Sequence, residues 1–233
     1  MMELINSWFA NMPGLGPLWL SIKLALITTI ILIVFGTPLA CWLSRTRSHG
    51  KTVVEALVAM PIVLPPTVLG FYLLILLSPG GWIGSHWVEL TGSSLTFSFA
   101  GLVIASIFYS LPFVIQPLQN AFEGISRGFS EAAATLGAKP LDVFFTVIMP
   151  LGARGFVTAA IMGFAHTLGE FGVVLMVGGN IPGQTRVISI AIYDHVEALE
   201  YAQAHALAAM LLVFSFVCMF ALYFINRRWR HEH

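Results

Sequence analysis

Charge is what this chain has least of. Only 9% of its 233 residues are Asp, Glu, Lys or Arg, while 58% are hydrophobic; soluble domains carry about 25% charged residues. None of these four occurs between Glu55 and Glu89, between Glu89 and Glu123, or from Tyr201 to Asn226. Runs of that length suit a bilayer core, which takes about 20 apolar residues per helical span, and they exclude a soluble enzyme. Cysteine is equally scarce. Cys41 and Cys218 stand alone near opposite ends, which gives no metal spacing and leaves two small hydrophobes. Zinc-ligand spacings, a nucleophile elbow and nucleic-acid-binding motifs are missing. Gly50-Lys51-Thr52 imitates the end of a phosphate-binding loop, but that motif needs a further Gly five residues before Gly50, where Arg45 stands. The sequence therefore offers no nucleotide site, no catalytic site and no metal site.

What the chain does have is five apolar stretches of spanning length: Leu20–Leu43, Val53–Leu77, Phe97–Asn120, Gly155–Val177 and Ala204–Ile225. An all-α polytopic membrane protein with five transmembrane helices is expected. The first stretch is too long for a cleavable signal peptide and lacks a basic flank before it, and Lys23 near its start can snorkel to the interface. Lys and Arg mark the sides. Arg45, Arg47 and Lys51 lie in the first connection, Arg127, Lys139 and Arg154 in the third, and Arg227, Arg228 and Arg230 in the tail. The second connection, Ser78–Thr96, has none, and the fourth, Gly178–Gln203, sets only Arg186 against Asp194, Glu197 and Glu200. This alternation places an N-terminal segment 1–19 outside, a transmembrane domain 20–226 and a cytoplasmic tail 227–233. Topology thus explains the basic clusters, and no nucleic-acid partner is expected.

The third connection, 121–154, departs from simple bilayer crossing. Ser130 can cap a short helix, and Glu131 suits its positive N-terminal dipole. Ala132, Ala133 and Ala134 are strong helix formers without bulk. Gly137 is a natural stop, and Pro140 fits the first turn of a second helix. Two short surface helices broken at Gly137–Lys139 are expected, held by Leu136, Leu141, Phe144 and Phe145. The Ala-rich turn leaves a low-relief surface suited to another protein's groove.

This segment runs Glu131-Ala132-Ala133, three residues, Gly137, then an apolar ending Val147-Ile148-Met149-Pro150. It resembles the coupling loop of type I ABC importer permeases, with Val and Met where the family usually carries Ile and Leu. Val34–Ala40, Met60-Pro61-Ile62-Val63-Leu64-Pro65-Pro66-Thr67-Val68-Leu69-Gly70, Leu168-Gly169-Glu170-Phe171-Gly172 and Gly179–Thr185 resemble molybdate permeases, from about Ser21 to Phe224. Sulfate and thiosulfate permeases share the Leu-Gly-Glu-Phe-Gly element. The resemblance implies the MetI-like permease fold with a cytoplasmic coupling helix, in a bacterial inner membrane. It implies a homodimer around one pathway and two cytoplasmic ATPases that use ATP and Mg and contact Glu131, Ala132, Ala133, Gly137 and Pro150. It also implies an extracytoplasmic oxyanion-binding protein, and no cofactor bound by this chain itself. The substrate stays open between molybdate and sulfate, thiosulfate or tungstate. An ion-gradient-driven carrier or channel without an ATPase is the alternative of another class.

The spans carry the pathway candidates. Gly155, Ala159, Gly163 and Thr167 make one narrow face, expected to serve packing within the subunit more than a dimer seam. Pro61, Pro65 and Pro66 should kink or unwind the second span, and Pro112 and Pro117 the third. Pro65, Pro66 and Phe171 are gate candidates. His166 and Glu170, four apart, lie either beside a pathway or in a pair that satisfies itself on one helix face. A dianion is repelled by an exposed carboxylate, so Glu170 is expected to be a structural bracket near the outer gate, hydrogen-bonded away from the lumen. Thr167, Ser106, Ser110 and freed backbone N–H groups are the candidates for transient oxyanion contact.

Overall fold

The structure, a computed structural model, describes residues 15–228; the leading residues 1–14 and Arg230 of the expected tail lie outside the described residues. Among the described residues all regular structure is helical. Three helices form the trunk: α1 (Leu15–Arg45), α5 (Phe99–Glu123) and α8 (Ala153–Leu168), each packed on the other two. Between α1 and α5 come α2 (Gly50–Val63), α3 (Pro66–Leu77) and α4 (Trp82–Thr91). Between α5 and α8 come α6 (Arg127–Thr135) and α7 (Pro140–Leu151). The chain closes with α9 (Gly172–Gly178), α10 (Ile188–Glu197) and α11 (Tyr201–Arg228).

The trunk forms because α1 and α8 present small residues to α5, Gly36 to Ile115, Gly163 to Val114 and Gly155 to Ala121. The buried stripe of α1 includes Ala25, Thr28, Leu32, Gly36 and Ala40, spaced by three or four residues as one helix face requires. Gly155, Ala159, Gly163 and Thr167 are all buried on α8. A Cβ on Gly155 would stand 2.2 Å from Cβ of Ala121, and one on Gly163 would stand 2.5 Å from Cγ2 of Val114. The four-residue stripe therefore packs within the subunit, against α5, as expected. The core around it is Leu32, Leu43, Val114, Ile115, Leu118 and Phe122.

The outside is apolar too. Leu26, Ile30, Val34 and Phe35 on α1, and Leu212, Val213, Phe216 and Phe220 on α11, are exposed. A stripe of that area on a monomer marks a membrane or a partner. α1, α5 and α11 are long and apolar enough to cross a membrane. The bent pairs α2–α3 and α7–α8 bring the number to five if each pair is one span.

Several boundaries differ from the sequence expectation for physical reasons. α1 starts at Leu15, inside the expected leading segment. The expected second span is two helices meeting at 113°, because adjacent Pro65 and Pro66 remove two successive backbone donors. Pro61 sits inside α2 without stopping it. α5 runs unbroken through Pro112 and Pro117; the expected unwinding is absent because α1 and α8 clamp the helix from two sides. The expected fourth span is interrupted. α8 ends at Leu168, Gly169 caps it, and α9 begins only at Gly172. α4 and α10 lie within the second and fourth connections, where no helix was expected. A π turn over Phe144–Ile148 also went unforeseen.

Candidate functional site

Two places stand out. The first is the junction of the two helix breaks. Gly70 of α3 lies so close to α9 that an added Cβ would come 2.8 Å from Cβ of Met176, and one on Gly172 would come 2.8 Å from Cβ of Pro66. The Pro65-Pro66 break and the Gly169–Phe171 break are thus neighbours, although about 105 residues separate them. Between them lies a cavity of about 590 Å³ walled by Pro66, Tyr109, His166, Gly169, Glu170 and Phe171. Broken spans at membrane depth are tolerated where they line such a space or are covered by protein.

The polar groups beside the cavity divide into two sets. Oγ1 of Thr167 donates to the Gly163 carbonyl at 2.9 Å. Its proton being used, it accepts from Oγ of Ser110 at 2.8 Å. Ser110 in turn accepts from Nδ1 of His166 at 2.9 Å. This one-proton-each chain places a hydrogen on Nδ1 and ties α5 to α8. The His166 ring stacks on Phe113 at 3.7 Å and 20°, with Tyr109 at 4.7 Å. Ser110 and Thr167 are fully buried and spent on this chain, away from the cavity wall.

Glu170 belongs to the other set. It is 3% exposed, and neither carboxyl oxygen has a hydrogen-bond partner, so the expected bracket hydrogen-bonded away from the lumen is not found: Glu170 lines the cavity. Ser106 is the polar side chain beside it, yet Ser106 Oγ is also without a partner by hydrogen-bond geometry. Of the two readings of His166 and Glu170, the pair on one helix face does not form, because α8 stops two residues before Glu170; both residues line the cavity instead. The segment is held instead by its main chain: Oγ of Ser189 donates to the Glu170 carbonyl at 2.6 Å. The Phe171 ring rests 5.0 Å from Tyr193 of α10. Pro65 caps α3 at the break and does not line the cavity.

The second place is the α6–α7 element. Its first helix starts one turn earlier than expected, at Arg127, and its cap is Ser126, whose Oγ accepts from the Gly128 N–H at 3.3 Å. Ser130 serves differently: it accepts from Nη2 of Arg45 at 3.0 Å, while Nη2 of Arg127 donates to the Arg45 carbonyl at 3.0 Å. α6 is thereby tied to the end of α1. Gly137 stops the helix as expected. Its φ is +86°, its N–H reaches the Ala134 carbonyl at 3.0 Å, and the Ala138 N–H reaches Ala133 at 3.1 Å. That pair of bonds is the Schellman motif, which needs a left-handed residue at this position. Pro140 opens α7, where Asp142 accepts from the Lys139 backbone N–H at 3.2 Å.

Glu131, Ala132 and Gly137 are exposed, and Ala133 is half-buried. Leu136, Leu141 and Phe145 were expected to hold the element down, but they are 89%, 72% and 60% exposed. Only Phe144 packs inward, beside Val143 and Ile148. Pro150 sits in the last turn of α7, before a 73° bend into α8.

Nearby, α2 is moored to α5. Lys51 Nζ lies 3.1 Å from Oε1 of Glu123, and Nε2 of Gln119 donates to Glu55 at 2.6 Å and to Glu123 at 3.0 Å. The Gln119 and Lys51 hydrogen bonds hold the Glu123 carboxyl below the ordinary 4.5. The Glu123 hydrogen bond holds the Lys51 ammonium above its ordinary 10.5. Among the described residues no group of three His, Cys, Asp or Glu is placed to hold a metal ion.

Residues 32–231 match the family described as binding-protein-dependent transport system inner membrane component. The chain is 59% identical over 213 residues to the molybdenum transport system permease protein ModB of Azotobacter vinelandii, covering 91% of this chain and 94% of that protein. It is 33% identical over 205 residues to the sulfate transport system permease protein CysT of Escherichia coli, covering 88% and 74%. Its fold matches a bacterial alginate ABC transporter solved with an alginate pentasaccharide-bound periplasmic protein. There the TM-score is 0.74 at 16% identity, with 95% of this chain and 81% of that one covered.

Proposed function

The chain belongs to the family of binding-protein-dependent transport system inner membrane components, and on that footing we propose that it carries molybdate into the cytoplasm, driven by a separate ATPase. It is a permease of an ABC importer, a multi-pass membrane protein of the MetI-like type. Permease subunits of this kind are not themselves catalytic.

The observation that carries the coupling part of the proposal is the α6–α7 element. It stands at the arginine-rich end, shows small residues at Ala132 and Ala133, and leaves Leu136 and Leu141 exposed. Its two helices are joined by one glycine turn and continue through a bend into α8, which lines the cavity at the helix breaks. A push on α6 therefore has a short mechanical route to that cavity. In this reading the basic end faces the cytoplasm, following the positive-inside rule. Two copies surround one pathway, and each α6–α7 element seats in one ATPase that binds ATP and Mg.

The helix-break cavity serves as the gate, with Pro66, His166, Glu170 and Phe171 on its wall. Ser106 supports it, while Pro65, Ser110 and Thr167 fix its geometry. An extracytoplasmic oxyanion-binding protein docks over α4 and α10. Molybdate is favoured by the 59% identity to a molybdenum permease. Sulfate is the second reading, favoured by the similarity to a sulfate permease across 88% of the chain.

Reconstitution tests the drive. Uptake into proteoliposomes should require a co-purifying P-loop ATPase and ATP. Uptake sustained by an ion gradient with no nucleotide would contradict the proposal and favour a gradient-driven carrier.

A further inference from the structure

A second cavity, of about 970 Å³, lies between α1 and α7, on the side of the α6–α7 element that faces α1 and apart from the helix-break cavity. Its walls are apolar: Val34, Pro38 and Trp42 on one side, Leu141, Phe145 and Met149 on the other. Most of these side chains are exposed, Trp42 by 45% and Phe145 by 60%. At its mouth the chemistry changes sharply. Arg45 lines the cavity, Arg127 reaches the Arg45 carbonyl, and Arg47 follows two residues later. Arg45, Arg47 and Arg127 form no ion pair with any carboxylate among the described residues; the Lys51, Arg186 and His195 pairs lie elsewhere. Arg45 spends one N–H on Ser130, which leaves most of its five-donor fork unused.

We propose that this groove holds an anionic phospholipid, its acyl chain against Trp42 and Phe145 and its phosphate on Arg45 and Arg127. The amphipathic layout matches the occupant: an apolar trough with the Arg45 guanidinium on its wall and Arg127 tied to the Arg45 carbonyl beside it, at the membrane–water boundary that the arginines mark. Helix C-termini attract cations by themselves, which accounts for Arg127 on the Arg45 carbonyl. That attraction holds the Arg127 side chain against residue 45, neither arginine has a carboxylate counterion among the described residues, and a phosphate supplies one. A second copy of the chain fits less well. Two-fold symmetry about the membrane normal sets basic end beside basic end, which would bring further arginines to the same mouth. A lipid here would bridge the end of α1 to the helix that follows the Gly137 turn.

Trp42 provides the reporter. The full-length permease, assembled with its ATPase, is placed in vesicles containing phosphatidylglycerol or phosphatidylcholine, both brominated at the same chain position. The Trp42 signal is the difference between the wild type and Trp42→Phe. It should be quenched at a mole fraction of brominated phosphatidylglycerol about fivefold lower per engaged arginine than of phosphatidylcholine. The pair Arg45→Gln, Arg127→Gln should erase that preference. Equal quenching by the two lipids in the wild type would reduce the groove to ordinary boundary surface and overturn the proposal. No Trp42 quenching at all would show the groove filled by protein and overturn it equally. The wild-type headgroup comparison decides the matter even if the double variant fails to assemble. Because the measurement reads lipid proximity, its failure leaves the transport proposal standing.

Discussion

Substitutions at Gly137 separate a turn that transmits force from one that merely connects two helices. The residue sits at φ +86°, and an added Cβ would meet nothing within 4 Å. Any penalty is therefore a backbone penalty, free of steric clash with neighbours. Asn tolerates the left-handed region, so Gly137→Asn should cost a few tenths of a kcal/mol. Ala should cost about 1 kcal/mol, and Val about 2 kcal/mol. Those amounts shift the population of the native turn about fivefold and thirtyfold. Global stability should hardly change, because α6 buries no residue and the turn is exposed. The assay is anion transported per ATP hydrolysed in proteoliposomes, with expression and assembly checked in parallel. The ratio should fall in the order Gly, Asn, Ala, Val while ATP hydrolysis continues. Equal ratios for all four, or Val outperforming Asn, would refute the coupling role of this turn.

Three further outcomes are expected. Gly163→Leu should lower the melting temperature in detergent through about 1–3 kcal/mol of overpacking, since even a Cβ would come within 2.5 Å of Val114; an unchanged melt would mean that α8 does not pack on α5. Ser126→Ala should raise hydrogen exchange across α6 by about 0.5–1 kcal/mol of lost capping, whereas Ser130→Ala should leave the cap intact. The mooring of α2 to α5 should show two pH limits. Glu123 is held below 4.5, so its contribution is present above pH 4.5 and is lost as pH falls through its folded value; Lys51 is held above 10.5, so its share is present below that pH and lost above it. Protection of the first amides of α2, corrected for intrinsic exchange, should report both limits, and Glu123→Gln should remove the acid one.

Local chemistry explains which features were legible in the sequence. Pro65-Pro66 broke the second span because two consecutive residues lack an N–H, a deficit that packing cannot repair. Pro112 and Pro117 look alike in sequence, yet α5, packed between α1 and α8, stays continuous through them, and such packing is invisible locally. Gly137 and Pro140 were legible because each serves a conformation that few other residues adopt. Ser126 and Ser130 stand one helical turn apart, and Glu131 drew the cap to the wrong one. The His166–Glu170 spacing assumed that helical periodicity continued through Gly169, where the chain leaves the helix. The meeting of the 65–66 and 169–171 breaks is a tertiary fact. The two motifs were each readable, but their adjacency depends on Gly70 and Gly172 letting α3 and α9 approach.

That this permease passes molybdate under the drive of a partner ATPase is open to direct test. The most direct measurement is ATP hydrolysis by the complex reconstituted with its binding protein, titrated separately with molybdate, tungstate, sulfate and thiosulfate. Stimulation is expected at a lower concentration of molybdate than of sulfate or thiosulfate, accompanied by molybdate uptake. Stimulation by sulfate at the lower concentration, or molybdate uptake indifferent to ATP, would contradict it.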